Sequence, residues 1–204
     1  LGSNNEYLAA QAHVNEIFSR YNEQLGYEAY ELFDIPNTRL YDTTVVNQGH
    51  IELKDGGRGL LVSPAAGEST AVNSGTIIVG DGTSIPQNNF ISHSAGIFHS
   101  NFSVDGRGPT VSINTATGII VTGDDSAGIS NLNIGGTSVA INEGSITVGN
   151  GTSTRFGGFS GEPYDRLIQS NGILSISAAQ AMGRTAYAGN SGEITVGNLA
   201  TGMF

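Results

Sequence analysis

Asp124, Asp125 and Ser126 are the residues whose types and spacing most strongly suggest chemistry. They stand in the run Gly123-Asp124-Asp125-Ser126-Ala127-Gly128, where carboxylates precede a hydroxyl that could act as a nucleophile. A second aspartate precedes the serine, and the residue two positions before the serine is Asp124 and not a glycine. The run therefore matches neither G-D-S-G nor G-x-S-x-G. We therefore predict that these three are turn residues, and we assign no catalytic residue.

The same aspartate pair suggests acid–base cleavage of a polysaccharide, because glycoside hydrolases use two carboxylates. The β-helix hydrolases that cleave pectin also carry an Asn-Thr-Asp, a Gly-His-Gly and an Arg-x-Lys unit. This chain has Asn114-Thr115-Ala116 and Gly49-His50-Ile51, and it has no Arg-x-Lys. The sequence therefore predicts that the protein is not an enzyme, with a polysaccharide hydrolase or lyase as the alternative.

Residue types that bind metals are present without a metal-binding pattern. Asp81, Asp105 and the Asp124 pair lack the G-G-x-G-x-D nonapeptide of calcium-binding solenoids. His93 and His99 are six residues apart, and a metal site needs more ligands. Cysteine is absent, which excludes disulfides and thiolate ligands. We predict that the two histidines are surface or turn residues, and we expect no metal and no cofactor.

The element that must position any functional group is a repeated turn and strand. The segment Asn73–Gly80, NSGTIIVG, recurs at 142–149 and 190–197, with looser copies at 47–53, 117–121 and 172–176. In each copy a turn signal leads into apolar residues two apart, which is typical of a strand with one buried face. The copies are 20 to 28 residues apart, with one interval of 42 that we take as two steps. This period predicts a solenoid and is too short for a propeller blade.

We predict an all-β fold, a right-handed parallel β-helix over residues 45–204, with three strands per coil. The three strands of one coil are expected at 118–122, 128–134 and 138–141. Asn73, Asn142 and Asn190 are expected to stack as an amide ladder at one corner. One interior column is expected to contain Leu53, Val79, Val121, Val148, Ile176 and Val196.

Residues 4–44 are predicted to form an N-terminal α-helical cap. Apolar residues recur at steps of three and four from Tyr7 to Leu25, and Gly26 follows where a helix commonly ends. A cap of this kind covers the open end of a solenoid, and an amphipathic partner-binding helix is the alternative. Leu1–Ser3 resembles the remnant of a cleaved expression tag. We expect the chain to be a piece of a longer protein that stops within a repeat.

Charge limits the partners. The net charge is −10 and only 13% of the residues are charged, which suits neither nucleic acid nor an anionic lipid surface. No apolar run reaches the roughly 18–20 residues of a transmembrane helix. We therefore expect no nucleic-acid partner and no membrane insertion by this segment.

Long insertions are the expected binding elements, because loops can vary without breaking a solenoid. The longest is Thr152–Leu167, and Ser84–His93 is the second candidate. Arginine with aromatic residues is typical of binding hot spots. The predicted binding residues are Arg155, Phe156, Phe159, Tyr164, Asp165 and Arg166. The alternative is that these aromatic residues fold back and cover the coil.

The repeats resemble the passenger repeats of bacterial autotransporters, which use type V secretion. The resemblance rests on Asn-x-Gly-x-Ile-x-Val-Gly, a short polar turn and Gly-apolar-aromatic; it is best in Val72–Gly82 and Asn190–Phe204 and covers roughly residues 45–204. It implies a secreted or surface-held β-helix of a Gram-negative bacterium, most often an adhesin. The implied partners are a host-cell surface protein or glycan, or self-association. A structural spacer and a phage fibre segment are alternatives.

Overall fold

The structure is a computed structural model that describes residues 42–63, 67–82, 94–101, 108–133, 135–151, 170–177 and 185–204. These residues belong to one compact unit, Leu40–Phe204. They form fifteen strands, and none of them is helical. The predicted helical cap at residues 4–44 lies outside the described residues as far as position 41. Its last two residues are not helical, because Thr43 and Thr44 begin the first strand.

The strands follow one another in five coils of three. The first coil contains β1 (Thr43–Asn47), β2 (His50–Leu53) and β3 (Arg58–Val62). The second contains β4 (Ser69–Asn73), β5 (Thr76–Val79) and β6 (Ser94–Asn101), and the third contains β7 (Thr110–Asn114), β8 (Ile119–Thr122) and β9 (Ser126–Asn133). The fourth contains β10 (Ser138–Asn142), β11 (Ser145–Val148) and β12 (Asn171–Ser177), and the fifth contains β13 (Ala186–Asn190), β14 (Glu193–Val196) and β15 (Thr201–Met203).

Equivalent strands of successive coils pair side by side and build three sheets. Sheet A contains β1, β4, β7, β10 and β13, sheet B contains β2, β5, β8, β11 and β14, and sheet C contains β3, β6, β9, β12 and β15. The pairings are parallel throughout these sheets. The described chain is therefore an all-β parallel solenoid, and the predicted three strands per coil are confirmed.

An isoleucine column in sheet B explains why the repeated pattern produces this fold. Ile77, Ile120 and Ile146 are fully buried and stand in register in β5, β8 and β11. Ile51 and Ile194 continue the column at its two ends, where they are partly buried. Fully burying one such side chain stabilises the fold by about 1.5–3 kcal/mol. The alternation of apolar and polar residues in each copy thus specifies which face of the strand turns inward.

The second interior column differs from the predicted one in the third coil. Leu53, Val79, Val148 and Val196 share one register position, as predicted. Their partner in β8 is Thr122, and the prediction of Val121 is wrong. The prediction fails because Ile119–Val121 are all apolar, so their pattern does not show which side chains point into the core. Ile119 is 43% exposed on the outer side, and a one-residue change of register exchanges the two faces of a strand.

The copy at residues 172–176 belongs to another sheet, so the prediction of Ile176 in this column is also wrong. Ile176 lies in β12 and pairs with Leu132 of β9 in sheet C. The preceding Asn171-Gly172 imitates the turn before a sheet B strand. The interval of 42 residues is a single coil and not two, because Val79 of β5 pairs with Thr122 of β8. Strand β6 and its long connections account for the added length.

A glycine column in sheet C fits against the isoleucine column of sheet B. A β-carbon on Gly59, Gly96 or Gly128 would overlap the Cγ2 methyl of an isoleucine in the next coil, and one on Gly172 would lie 2.5 Å from such a methyl. The pairs are Gly59 with Ile77, Gly96 with Ile120, Gly128 with Ile146 and Gly172 with Ile194. Glycine is required at these positions because the interior has no room for a side chain.

Sheet C is buried on both faces in the second coil. Ile97 belongs to the interior core, whereas its neighbour Phe98 packs outside it with Ala95 and Ala127. Phe98 is only 8% exposed, but its neighbour in register in the first coil, Leu61, is 54% exposed. The outer face of sheet C is therefore covered at Phe98 and open at Leu61.

Candidate functional site

The corner between sheets A and B is closed by an asparagine ladder. Each Nδ2 donates to the Oδ1 of the equivalent asparagine in the next coil: Asn47 to Asn73 at 2.8 Å, Asn73 to Asn114 at 2.8 Å, Asn114 to Asn142 at 2.8 Å and Asn142 to Asn190 at 2.7 Å. The predicted ladder of Asn73, Asn142 and Asn190 is confirmed and has two further members. This corner is fully engaged in structural hydrogen bonds.

The corner between sheets B and C, the BC corner, carries both insertions singled out in the sequence. It is made by residues 54–57, 123–125 and 197–200 in the first, third and fifth coils. In the second coil it spans residues 80–93, and in the fourth it spans 149–170. The predicted binding residues Arg155, Phe156, Phe159, Tyr164, Asp165 and Arg166 lie outside the described residues, as does Ser84–His93. The described residues that flank the two connections are 80–82 and 94 in the second coil, and 149–151 and 170 in the fourth.

Serines fix the ends of these two connections to the solenoid. Ser94, where β6 begins, accepts a hydrogen bond from Gly56 N at 2.9 Å and donates to Asp81 O at 2.6 Å. Ser170 donates to Asn150 O at 2.8 Å. Each connection therefore leaves and re-enters the solenoid at a defined place, although its length differs from that of its neighbours.

A second ladder, of aspartates and asparagines, runs along the BC corner. Each Oδ1 accepts the backbone N–H of the equivalent residue in the next coil: Asp55 from Asp81 at 3.0 Å, Asp81 from Asp124 at 2.8 Å, Asp124 from Asn150 at 2.6 Å and Asn150 from Asn198 at 2.9 Å. The carboxylates are thus spaced along the solenoid axis, and each caps the end of a neighbouring strand. Each of the three carboxylates is therefore engaged in a structural hydrogen bond to the backbone.

The prediction that Asp124 and Asp125 are turn residues is confirmed. The same prediction for Ser126 is wrong. Asp125 has a φ of 49°, a left-handed conformation that suits a turn and that aspartate tolerates. Ser126 is the first residue of β9 and is 2% exposed. Its hydroxyl contacts Thr122 Oγ1 at 2.8 Å and Gly123 O. Because Ser126 is buried and its hydroxyl makes these contacts, it is a structural residue of sheet C and not an accessible nucleophile.

His99 is fully buried in β6, so its prediction as a surface or turn residue is wrong. Its Nε2 lies 2.6 Å from Ser69 Oγ, and its Nδ1 lies 3.2 Å from Ser112 Oγ. Burial lowers the pKa of His99 to about 4, and a hydrogen bond with the Val111 backbone partly opposes this effect. The imidazole is therefore neutral at pH 7. His93 lies outside the described residues.

Ser69 and His99 are close enough to form a nucleophile and base pair, but their surroundings exclude that role. Ser69 is 1% exposed and His99 is 0% exposed, so no substrate reaches them. The Nδ1 of His99 faces the hydroxyl of Ser112, where a catalytic triad would place a carboxylate. The imidazole instead links sheet C to sheet A inside the solenoid.

Asn131 continues this polar interior in the third coil. It stands beside His99 in register and is fully buried. Its Nδ2 donates to Thr110 O at 3.0 Å and to Val139 O at 2.6 Å. Its Oδ1 has no hydrogen-bond partner among the described residues. The side chain therefore fastens sheet C to sheet A through its amide nitrogen.

Arg58 and Phe98 form a stacked pair on the outer side of sheet C that the sequence does not reveal. The guanidinium carbon of Arg58 lies 4.0 Å from the centre of the Phe98 ring. The two residues are distant in sequence, and the pairing of β3 with β6 brings them together. The shared pattern in Gly59-Leu60-Leu61 and Gly96-Ile97-Phe98 was the signal that could have aligned these strands.

The part of the chain that the structure describes supports neither a metal site nor a membrane-spanning helix. Its histidines, aspartates and glutamates form no group of three or more that could hold a metal ion. Nor does it contain a helix with the length and apolarity needed to cross a membrane. Comparison with protein-family models, with curated proteins and with solved structures finds no match.

Proposed function

We propose that this protein is a binding module that adheres to a host-cell surface protein or glycan through the connections of the BC corner. The observation that carries the proposal is that both long connections leave the solenoid at this corner, in the second and fourth coils. Neighbouring strands of a sheet lie about 4.8 Å apart, so the bases of the two connections are about 10 Å apart. Loops held this closely by a rigid sheet can form one contact surface.

The residues proposed to make the contact are those singled out in the sequence. Arg155, Phe156, Phe159, Tyr164, Asp165 and Arg166 lie in the connection of the fourth coil. Buried aromatic and arginine side chains supply most of the affinity in protein interfaces. Segment Ser84–His93 of the second coil contributes the neighbouring part of the surface.

We also propose the finer architecture and the biological setting. The coils wind in the right-handed sense, because connections between parallel strands of one sheet are right-handed in about 98% of cases. Of the N-terminal helical cap predicted at residues 4–44, the part that precedes the first strand remains our proposal. The repeats resemble autotransporter passengers, which favours a protein at the surface of a Gram-negative bacterium or secreted from it. Self-association between such cells is the alternative to adhesion to a host.

A polysaccharide-active enzyme is less well supported than a binding module. Asp55, Asp81 and Asp124 each accept a backbone N–H from the next coil, so each carboxylate already has a structural hydrogen-bond partner. The other nucleophile and base candidates, Ser69 and His99, are inside the solenoid. A structural spacer predicts that the long connections have no role in attachment, and the experiment below separates it from a binding module.

The test replaces Thr152–Leu167 by Gly-Ser-Gly, which still joins β11 to β12. We expect the variant to lose at least tenfold in attachment to host cells, because the proposed contact residues are gone. A second variant, Arg155→Ala with Phe159→Ala and Tyr164→Ala, keeps the length of the connection. Thr147→Ala is the matched control, since Thr147 is exposed on β11 of the same coil.

Circular dichroism and thermal unfolding must show that each variant keeps the fold of the unmodified protein. Attachment that is unchanged in both loop variants would contradict the binding proposal and favour a spacer. Loss of attachment in Thr147→Ala as well would move the contact surface to sheet B.

A further inference from the structure

The pair Arg58 and Phe98 lies on the outer face of sheet C, where the BC corner leads into β3. Phe98 packs outside the interior core with Ala95 and Ala127. Arg58 is paired in register with Ala95, and its guanidinium stacks on the Phe98 ring at 4.0 Å. The stacking fixes the plane of the guanidinium, and its Nη groups make no hydrogen bond to the described residues.

The hydrogen-bonding capacity of Arg58 is not used by the described part of the protein. Its Nε is buried and has no partner there, and no described carboxylate forms an ion pair with the guanidinium. Asp55, the nearest carboxylate in sequence, accepts the backbone N–H of Asp81. Burial lowers the pKa of Arg58, but a guanidinium stays charged in proteins. A partly buried cation without an anion is an incomplete arrangement, because its desolvation is not compensated.

The chemistry of the partner follows from the charge and shape around this cation. A planar carboxylate matches the paired N–H groups of a guanidinium. Leu61 is 54% exposed beside Phe98 in register and offers an apolar contact for the carbon skeleton of a ligand. The net charge of −10 repels a polyanion, so a ligand with isolated carboxylates fits better than nucleic acid or a sulfated polymer.

We propose that Arg58, held on Phe98, is the subsite that binds the carboxylate of an acidic sugar in a glycan. This inference rests on the proposed binding function and names the ligand class for the surface that adjoins the BC corner. Leu61 contacts the sugar ring, and the guanidinium edge donates two hydrogen bonds to the carboxylate. Neutral sugars lack the group that Arg58 recognises and bind weakly.

The experiment titrates the complete chain with N-acetylneuraminic acid and with methyl glucuronide, using methyl glucoside as the neutral control. Calorimetry gives the affinity, and ¹⁵N spectra follow the Nε–H resonance of Arg58, assigned by its disappearance in Arg58→Lys. We expect an acidic sugar to shift this resonance. Arg58→Gln should lower the affinity at least tenfold, and Arg58→Lys should lower it less. Lys54→Gln removes the same charge from an exposed position near Arg58 and should change the affinity less than twofold.

Two results would overturn the inference: neither acidic sugar shifts the Arg58 resonance, or Arg58→Gln and Lys54→Gln weaken binding equally. A shift caused by an acetylated, amidated aspartate peptide and by neither sugar would assign the subsite to an acidic protein and reject the glycan. The spectra of the unmodified protein decide the question even if Arg58→Gln does not fold. The variant without Thr152–Leu167 separates the two proposals, since it should lose cell attachment and still bind the acidic sugar.

Discussion

Asn114 illustrates what a polar side chain needs inside this solenoid. It is fully buried, and its Nδ2 lies within hydrogen-bonding distance of Gly118 O, Asn142 Oδ1 and Ser145 O. Its Oδ1 accepts from Asn73. Every polar atom of the amide is therefore satisfied by residues that the repeat supplies. A buried amide without such partners costs about 1–3 kcal/mol, so the ladder is stable only as a continuous row.

Replacing Asn114 tests the ladder at its centre. We expect Asn114→Ala to lower the free energy of unfolding by about 2–3 kcal/mol, because it removes the donor to Asn142 Oδ1 and one of the acceptors of Asn73 Nδ2. Asn190→Ala is the matched control at the exposed end of the ladder and should cost about 1 kcal/mol or less. Urea unfolding measures both values. Equal losses at the two positions would mean that the ladder does not act as a connected row.

At the scale of the strands, the glycine column makes sheet C compatible with sheet B. We expect Gly128→Ala to destabilise the protein by about 1–3 kcal/mol, because the added β-carbon overlaps Ile146 Cγ2 and must displace it. Gly202→Ala is the control in the last coil, where nothing lies within 4 Å of the added carbon, and it should be nearly neutral. Thermal unfolding distinguishes the two. A neutral Gly128→Ala would show that the two columns are not in steric contact.

The strands also show how far the sequence alone could predict the fold. The copies of Asn-x-Gly with apolar residues two apart were sufficient for the solenoid, its three strands per coil and most of one column. They failed in the third coil. There, Asn114 is followed by a turn two residues longer than that after Asn73, so the ladder residue was missed. Ile119–Val121 is apolar throughout, so the pattern could not show that Thr122 is the inward residue.

The candidate sites were less predictable because they depend on register between distant strands. His99 lies in a strand whose two faces are both buried, and a histidine with polar neighbours gives no local sign of that. Its partners Ser69 and Ser112 belong to other strands. Arg58 and Phe98 meet only because β3 pairs with β6. The connections of the BC corner, by contrast, were recognisable as interruptions of the repeat.

For the whole molecule, two groups give the stability opposite dependences on pH. The pKa of His99 is about 4 in the folded protein and about 6.5 for an unperturbed histidine. Between these values the unfolded chain binds a proton that the folded chain does not, so the folded state loses stability as the pH falls. Burial, with Asp42 adding to it, raises the pKa of Glu68 from 4.5 to about 7. Glu68 therefore favours unfolding as the pH rises between those values.

The His99 contribution is measured by comparing the protein with His99→Gln at several pH values. Between pH 6.5 and pH 4, we expect the free energy of unfolding of the unmodified protein to fall by about 3 kcal/mol more than that of His99→Gln. Urea unfolding at each pH gives the difference, in which the Glu68 effect cancels. Glu68→Gln is the complementary control and should gain stability relative to the unmodified protein as the pH rises from 4.5 to 7. Parallel profiles of the unmodified protein and His99→Gln would contradict the assignment.

The asparagine row also gives the molecule a direction. Each amide donates to the asparagine of the following coil, from Asn47 in the first coil to Asn190 in the fifth. The amide dipoles therefore add instead of cancelling. Each polarised amide strengthens the next one in the row. The two ends of the asparagine row are therefore electrically unlike, with an amide oxygen towards the first end and an amide N–H towards the last.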